Sequence, residues 1–147
     1  LAGYFAGSYW FTFTIGRILA GLVTRKIIIQ SLVKVCIIAA ILAGVILGLN
    51  LSTWVNLAAV AVIGFAFAPI FPGLISGTPE RVGQQHSNNT IGMQTAAGAL
   101  GGTALTSLVG VLARVYGLEV VPSAMVAFLA CLLAGYIIFE RKGAAAG

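Results

Sequence analysis

Residues 35–79 read VCIIAAILAGVILGLNLSTWVNLAAVAVIGFAFAPIFPGLISGTP, a run without a single Asp, Glu, Lys or Arg. The polar break Asn50-Leu51-Ser52-Thr53 divides it. A helix needs roughly 20 predominantly apolar residues to cross the ~30 Å hydrocarbon core of a bilayer, so the run is too long for one span and matches two spans joined by a tight turn. Working outward, five apolar segments can be marked off at about 1–23, 32–49, 54–76, 88–113 and 120–139. The fold class expected is therefore all-α, a polytopic transmembrane helix bundle of about five spans.

Composition points to the same class. The chain of 147 residues is 60% hydrophobic and 7% charged, whereas a soluble domain carries about 25% charged residues. So few polar side chains cannot cover the surface of a soluble fold, but lipid requires no such cover. The net charge of +5 does not indicate nucleic acid, because the basic residues sit at the ends of the apolar runs and form no stripe. Arg25, Lys26, Lys34, Arg81, Arg141 and Lys142 fall in one set of connections and Arg114 in the other. By the positive-inside rule the first set is cytoplasmic, which places Leu1 outside and the C-terminus inside. The location expected is an integral position in the plasma membrane. The apolar opening at Leu1, with no basic segment ahead of it, argues against a signal peptide and suggests a piece of a longer chain.

Cys36 and Cys131 both fall inside spans and read as small apolar residues, and no metal-ligand spacing accompanies them. Tyr4, Trp54 and Tyr116 lie near span ends, where belt aromatics sit. His86 falls in the polar loop of residues 77–87 and reads as a solvated side chain. No nucleophile–base pair, paired carboxylates or phosphate loop appears within the spans, so no catalytic residue, cofactor or metal is expected.

The first span carries Gly3, Gly7, Trp10, Thr14, Arg17 and Gly21 at helical spacing, one stripe on one face. Its glycines alone also fit a helix-packing seam. A cation at mid-depth costs at least ~2.5 kcal/mol and marks a functional candidate. Arg17 stands seven residues before Thr24, roughly 10 Å below the helix end at 1.5 Å per residue. The chain has only three acids, Glu80, Glu119 and Glu140, and Glu80 is on the same side as Arg17. A gating pair between Arg17 and Glu80 is one expectation; snorkelling of Arg17, or an acid elsewhere in a longer protein, are the others.

The third span holds Pro69, Pro72 and Gly73. Each proline removes a backbone donor, so the carbonyls of Phe65 and Ala68 lose their usual partners. In lipid such groups must be satisfied inside the protein, so this stretch is either a kinked structural helix or a hinge lining a solute path. The fourth span is rich in small residues, with Gly92, Gly98, Gly101 and Gly102, which predicts close helix contact. Gln94 and Thr95 there suit either interhelical hydrogen bonds or a polar solute. The second and fifth spans are bland and read as outer, lipid-facing supports.

The order of these features resembles the C-terminal half of a major facilitator superfamily transporter, from its eighth to its twelfth span. The resemblance rests on Gly16-Arg17-Ile18-Leu19-Ala20-Gly21, on Arg25 and Lys26 after it, and on Ala68-Pro69-Ile70-Phe71-Pro72-Gly73. Both stretches are most similar to the fucose, galactose and glucose permease-like branch. The loop departs from the superfamily's Gly-x-x-x-Asp-Arg-x-Gly pattern, with Arg25 in the Asp position and Ile28 in the second Gly position. The resemblance implies a fragment of a twelve-span fold, partnered by the lipid bilayer and by a missing N-terminal half of the same transporter. It implies secondary active or facilitative transport of a small-molecule solute, with sugars as one such class, by alternating access. Trp10, Thr14, Phe67, Phe71, Gln94 and Thr95 are the substrate-binding candidates; Arg17 and Glu80 are the gating candidates. The alternative is a non-transporting receptor or scaffold, or an inactive truncated transporter.

Two sequons, Asn50-Leu51-Ser52 and Asn88-Asn89-Thr90, make the orientation testable. In a eukaryotic host Asn88 is expected to stay unmodified, read as no change in its peptide mass on deglycosylation. Sugar on Asn88 would reverse the assignment of sides.

Overall fold

The computed structural model describes residues 2–23 and 29–145, and these are helical apart from short turns. Leu1, Arg25, Lys26 and Ile28 lie outside the described residues. Seven helices follow in order: α1 (Ala2–Val23), α2 (Ile29–Leu49), α3 (Thr53–Phe67), α4 (Ile70–Ser76), α5 (Thr78–Val82), α6 (Gln84–Tyr116) and α7 (Val120–Ala145). The expected third span is thus built of pieces, α3 and α4 with α5 beyond. Four stretches are long and apolar enough to cross a membrane, Ile29–Leu49, Thr53–Glu80, Gln84–Tyr116 and Val120–Phe139. The expected fifth, α1, has the length at 22 residues, but its Ser, Thr, Tyr, Trp and Arg side chains dilute its apolar character.

Local chemistry sets the boundaries. The polar break at residues 50–53 ends one helix and starts the next: Asn50 adopts a left-handed conformation at φ 47°, and the Ser52 hydroxyl accepts from the Val55 N–H at 3.3 Å as the α3 N-cap. Asn56 Nδ2 donates back to Asn50 Oδ1 at 2.6 Å, tying the turn to the first helical turn after it. The expected polar loop at 77–87 is mostly helical: Gly77 makes a tight turn between α4 and α5 with helical dihedrals, and Gly83 takes the chain to φ 78°, a conformation that glycine adopts without a Cβ clash. His86, exposed as expected, therefore lies in the first turn of α6 rather than in a loop.

The chain runs up and down, with α1, α3–α4 and α7 in one direction and α2 and α6 in the other. The order of facing residues shows this: Phe5 with Trp54 and Gly16 with Phe65 on the parallel pair α1 and α3, Gly48 with Pro122 and Gly44 with Met125 on the antiparallel pair α2 and α7. Arg17, Lys34 and positions 81, 141 and 142 consequently share one end of the bundle, and Arg114 is at the other. Tyr4, Trp54 and Tyr116 are exposed near the end opposite Arg17.

The core departs from the expected division between polar inner and bland outer helices. Far from being a lipid-facing support, α2 is the centre: Val33, Cys36, Ile37, Ala40 and Ala43 are buried, with Ile37 and Ala40 at 0% exposure. It packs against α3 and α4 on one side and α7 on the other, where Leu129 closes the same cluster. An all-apolar surface of small and branched side chains can be enclosed on every side without stranding a polar group. Of the two cysteines, Cys36 fills this core while Cys131 is exposed, and both thiols are free. Of the small residues on α6 expected to make close contacts, Gly98 does, with a built Cβ 3.2 Å from the Phe71 ring, whereas one on Gly92, Gly101 or Gly102 meets nothing within 4 Å. Only Ser87 of α6 is buried.

The closest backbone-to-backbone contact between helices involves Gly16 and Gly64. A Cβ on Gly16 of α1 would lie 2.8 Å from both the Ala68 Cβ and the Phe65 carbonyl oxygen, and one on Gly64 of α3 would lie 2.5 Å from the Tyr9 carbonyl oxygen. Backbone therefore meets backbone in both directions, the arrangement small residues permit between helices in lipid. By contrast a Cβ built on Gly3 or Gly7 of the polar stripe would meet nothing within 4 Å, so that end of the stripe is the open face of α1 rather than its packing seam. Substituting Gly64→Val is expected to destabilise the bundle by ~1–3 kcal/mol through overpacking, measured by thermal unfolding in detergent. Gly7→Ala under the same conditions should leave the midpoint unchanged.

Candidate functional site

The helix break begins where Pro69 replaces a backbone donor. Pro69 caps α4 without a side-chain bond, and the Gly73 N–H donates to the Pro69 carbonyl at 2.9 Å, so helical bonding resumes one turn later. The carbonyl of Phe65, which Pro69 cannot bond, faces Gly16 of α1. Of the residues read as a hinge, Gly73 has a packing reason: a Cβ there would lie 2.5 Å from Val33 Cγ2 on α2. Pro72 faces outward into a cavity of about 400 Å³ that also takes Arg17, Gly21, Pro69, Gly73 and Ser76.

Arg17 is adjacent to Gly16, so the close approach of α1 to α3 brings it to the proline break. Its guanidinium lies over the Phe13 ring, 5.2 Å from the centroid, a cation–π contact. Phe13 in turn stacks on Tyr9 at 5.9 Å and meets Trp10 edge-on at 5.8 Å. The ladder Trp10, Phe13, Arg17 follows one edge of α1 at helical spacing. Arg17, Phe13 and Tyr9 then share a second cavity, about 290 Å³, with Phe67 and Phe71. The expected ion pair between Arg17 and Glu80 is not made: Glu80 lines a different cavity with Gln30 and Tyr136, on the far side of Gly73.

A third and larger cavity, about 770 Å³, opens among α4, α5, α6 and α7. Thr78, 3% exposed, donates through Oγ1 to Gln94 Oε1 at 2.9 Å and joins α5 to α6 at its wall. Phe71 borders both this cavity and the aromatic one. The structure thus gathers Arg17, Phe67, Phe71, Gln94, Pro69, Pro72 and Gly73 around three neighbouring cavities. It leaves Trp10, Thr14 and Thr95 exposed on outer faces. Thr14 and Thr95 also donate their hydroxyl protons to the carbonyls of Trp10 at 2.9 Å and Ile91 at 2.8 Å on their own helices, the usual internal satisfaction of a hydroxyl in a helix that lipid surrounds.

Tyr9, Phe13 and Thr78 were not among the sequence candidates. Phe13 was legible as the residue four before Arg17, within cation–π reach on any helix. Thr78 carried no signal, since its partner is set by how α5 folds back on α6. No protein-family model, curated protein or solved structure matches this chain.

The Thr78–Gln94 bond gives a direct test of the wall. Thr78→Val is expected to lower stability by about 1 kcal/mol, and adding Gln94→Leu should lower it little further, because the two side chains form one bond. Urea or thermal unfolding of the four variants of the cycle measures this.

Proposed function

We propose that this bundle is part of a secondary active or facilitative transporter that moves a small polar solute, a sugar among the candidates, through the membrane by alternating access. The observation that carries the reading is Arg17 at the proline break. An exposed cation within a long helix borders two cavities beside an interrupted helix, the setting in which intramembrane charge and irregular backbone serve a solute path. The sequence resemblance to the C-terminal half of a major facilitator superfamily transporter supports the same reading.

On this proposal the open faces of α1 and α6 meet a second, N-terminal half of the transporter, and the solute passes between them. Trp10, Thr14 and Thr95 then border the path from the open faces, while Phe67, Phe71 and Gln94 border it from within. Arg17 and Glu80 form their pair in the conformation closed at the basic end. That end is cytoplasmic under the positive-inside rule, with the plasma membrane as the proposed site.

The intact protein in proteoliposomes is expected to take up at least one member of a panel of radiolabelled sugars and other small polar solutes. Arg17→Gln should lower the initial rate at least tenfold, with Arg17→Lys intermediate. A correctly folded protein that moves no solute, or an uptake unaffected by Arg17→Gln, would remove the reading.

A further inference from the structure

We propose that the cavity among α4, α5, α6 and α7 is a binding site for an uncharged amphipathic molecule, separate from the Arg17 cavities. Its volume, about 770 Å³, falls in the range that holds a ligand of drug or monoglyceride size. Among the described residues no charged side chain lines it. A charged ligand would lose its hydration there without a partner, so the lining selects a neutral one.

The polar groups are few, Thr78, Thr90 and Gln94 on the α5–α6 wall and Tyr136 and the Cys131 thiol on α7. Gln94 Oε1 is occupied by the Thr78 hydroxyl at 2.9 Å, which fixes the amide and leaves its NH₂ to donate. The ligand therefore carries an acceptor oxygen, as an ester, ether, amide or alcohol does, at the head of an apolar body. Phe71 and Leu132 provide the apolar surface, and both also border the aromatic cavity. Gly98 and Gly135 provide flat walls: a Cβ on Gly135 meets nothing within 4 Å, and one on Gly98 meets only the Phe71 ring, at 3.2 Å and beyond.

Cys131 lines the cavity and is exposed, whereas Cys36 is buried in the core, so thiol labelling reports occupancy. The intact protein in nanodiscs is treated with monobromobimane, an uncharged reagent, and modification is read at the Cys131 peptide by mass spectrometry. Monoolein is expected to slow Cys131 labelling at least fivefold and saturably, with labelling at Cys36 unchanged. Gly135→Leu projects a side chain into the cavity from a position where a Cβ meets nothing within 4 Å and should abolish that dependence; Gln94→Leu should raise the half-protecting concentration at least tenfold. Protection by monoolein alone identifies a membrane lipid as the occupant, and protection by water-soluble monooctanoylglycerol as well identifies a solute entering from water. Labelling indifferent to both, dependence that survives Gly135→Leu, or equal protection by oleate at a pH where it is ionised would overturn the proposal.

Discussion

The backbones of α1 and α3 touch at Gly16 and Gly64, where neither helix has room for a methyl group. Between helices in lipid the hydrophobic effect supplies little attraction, because lipid tails are as apolar as leucine; dispersion between closely fitted surfaces takes its place. The contact sets the rest of the site. It lays the carbonyl freed by Pro69 against α1 and carries Arg17 to the break. The same rotation turns Tyr9 and Phe13 toward Phe67 and Phe71. It also points Gly3, Gly7, Trp10 and Thr14 away from the body, since a helix that packs on one face shows the other.

Around that contact the bundle keeps its most apolar helix inside and its most polar helices outside. α2 can be surrounded because it presents only carbon and one thiol to its neighbours along the buried face. α6 and α1 carry hydroxyls, amides and a guanidinium, and most of their hydroxyls bond to carbonyls one turn back, as Thr103 does to Ala99 at 2.9 Å and Thr106 to Gly102 at 2.8 Å. Such internal bonds lower the polarity of an exposed helix face without requiring a partner. Gln94 is the exception, because its amide is too long to bond its own turn and reaches Thr78 on another helix.

Much of the architecture was legible before any tertiary structure. Helical type follows from apolar length, though not the number of helices, since Pro69, Gly77 and Gly83 divide the stretch after α2 into shorter pieces; the α2–α3 turn follows from Asn50 and Ser52, whose local hydrogen bonds need no distant residue. The break at Pro69 follows from a missing donor. The assignment of inner and outer helices was not legible, because α2 is apolar all round and such a helix satisfies both lipid and protein. The packing glycines were legible only in part: Gly44 and Gly48, four residues apart, both pack against α7, but Gly3 and Gly7 have the same spacing and a Cβ on either meets nothing within 4 Å, so spacing alone does not tell a packed glycine from an open one. The site candidates divided on the same ground: Phe67, Phe71 and Gln94 gather at cavities, but Trp10 and Thr14 on α1, and Thr95 next to Gln94 on α6, face elsewhere.

By itself the sequence determined that the chain is a set of long apolar helices, where the α2–α3 turn and the Pro69 break fall, and that most basic positions gather at one end. These are properties of consecutive residues, governed by hydrogen bonds within a turn and by transfer of each segment from water to lipid. Only the tertiary structure decided which face of each helix is covered, that Arg17 meets Phe13 rather than Glu80, and that Thr78 holds Gln94 beside an uncharged cavity. Those depend on the rotation of each helix about its axis, which close fit between backbones sets and which no single helix carries in its own periodicity.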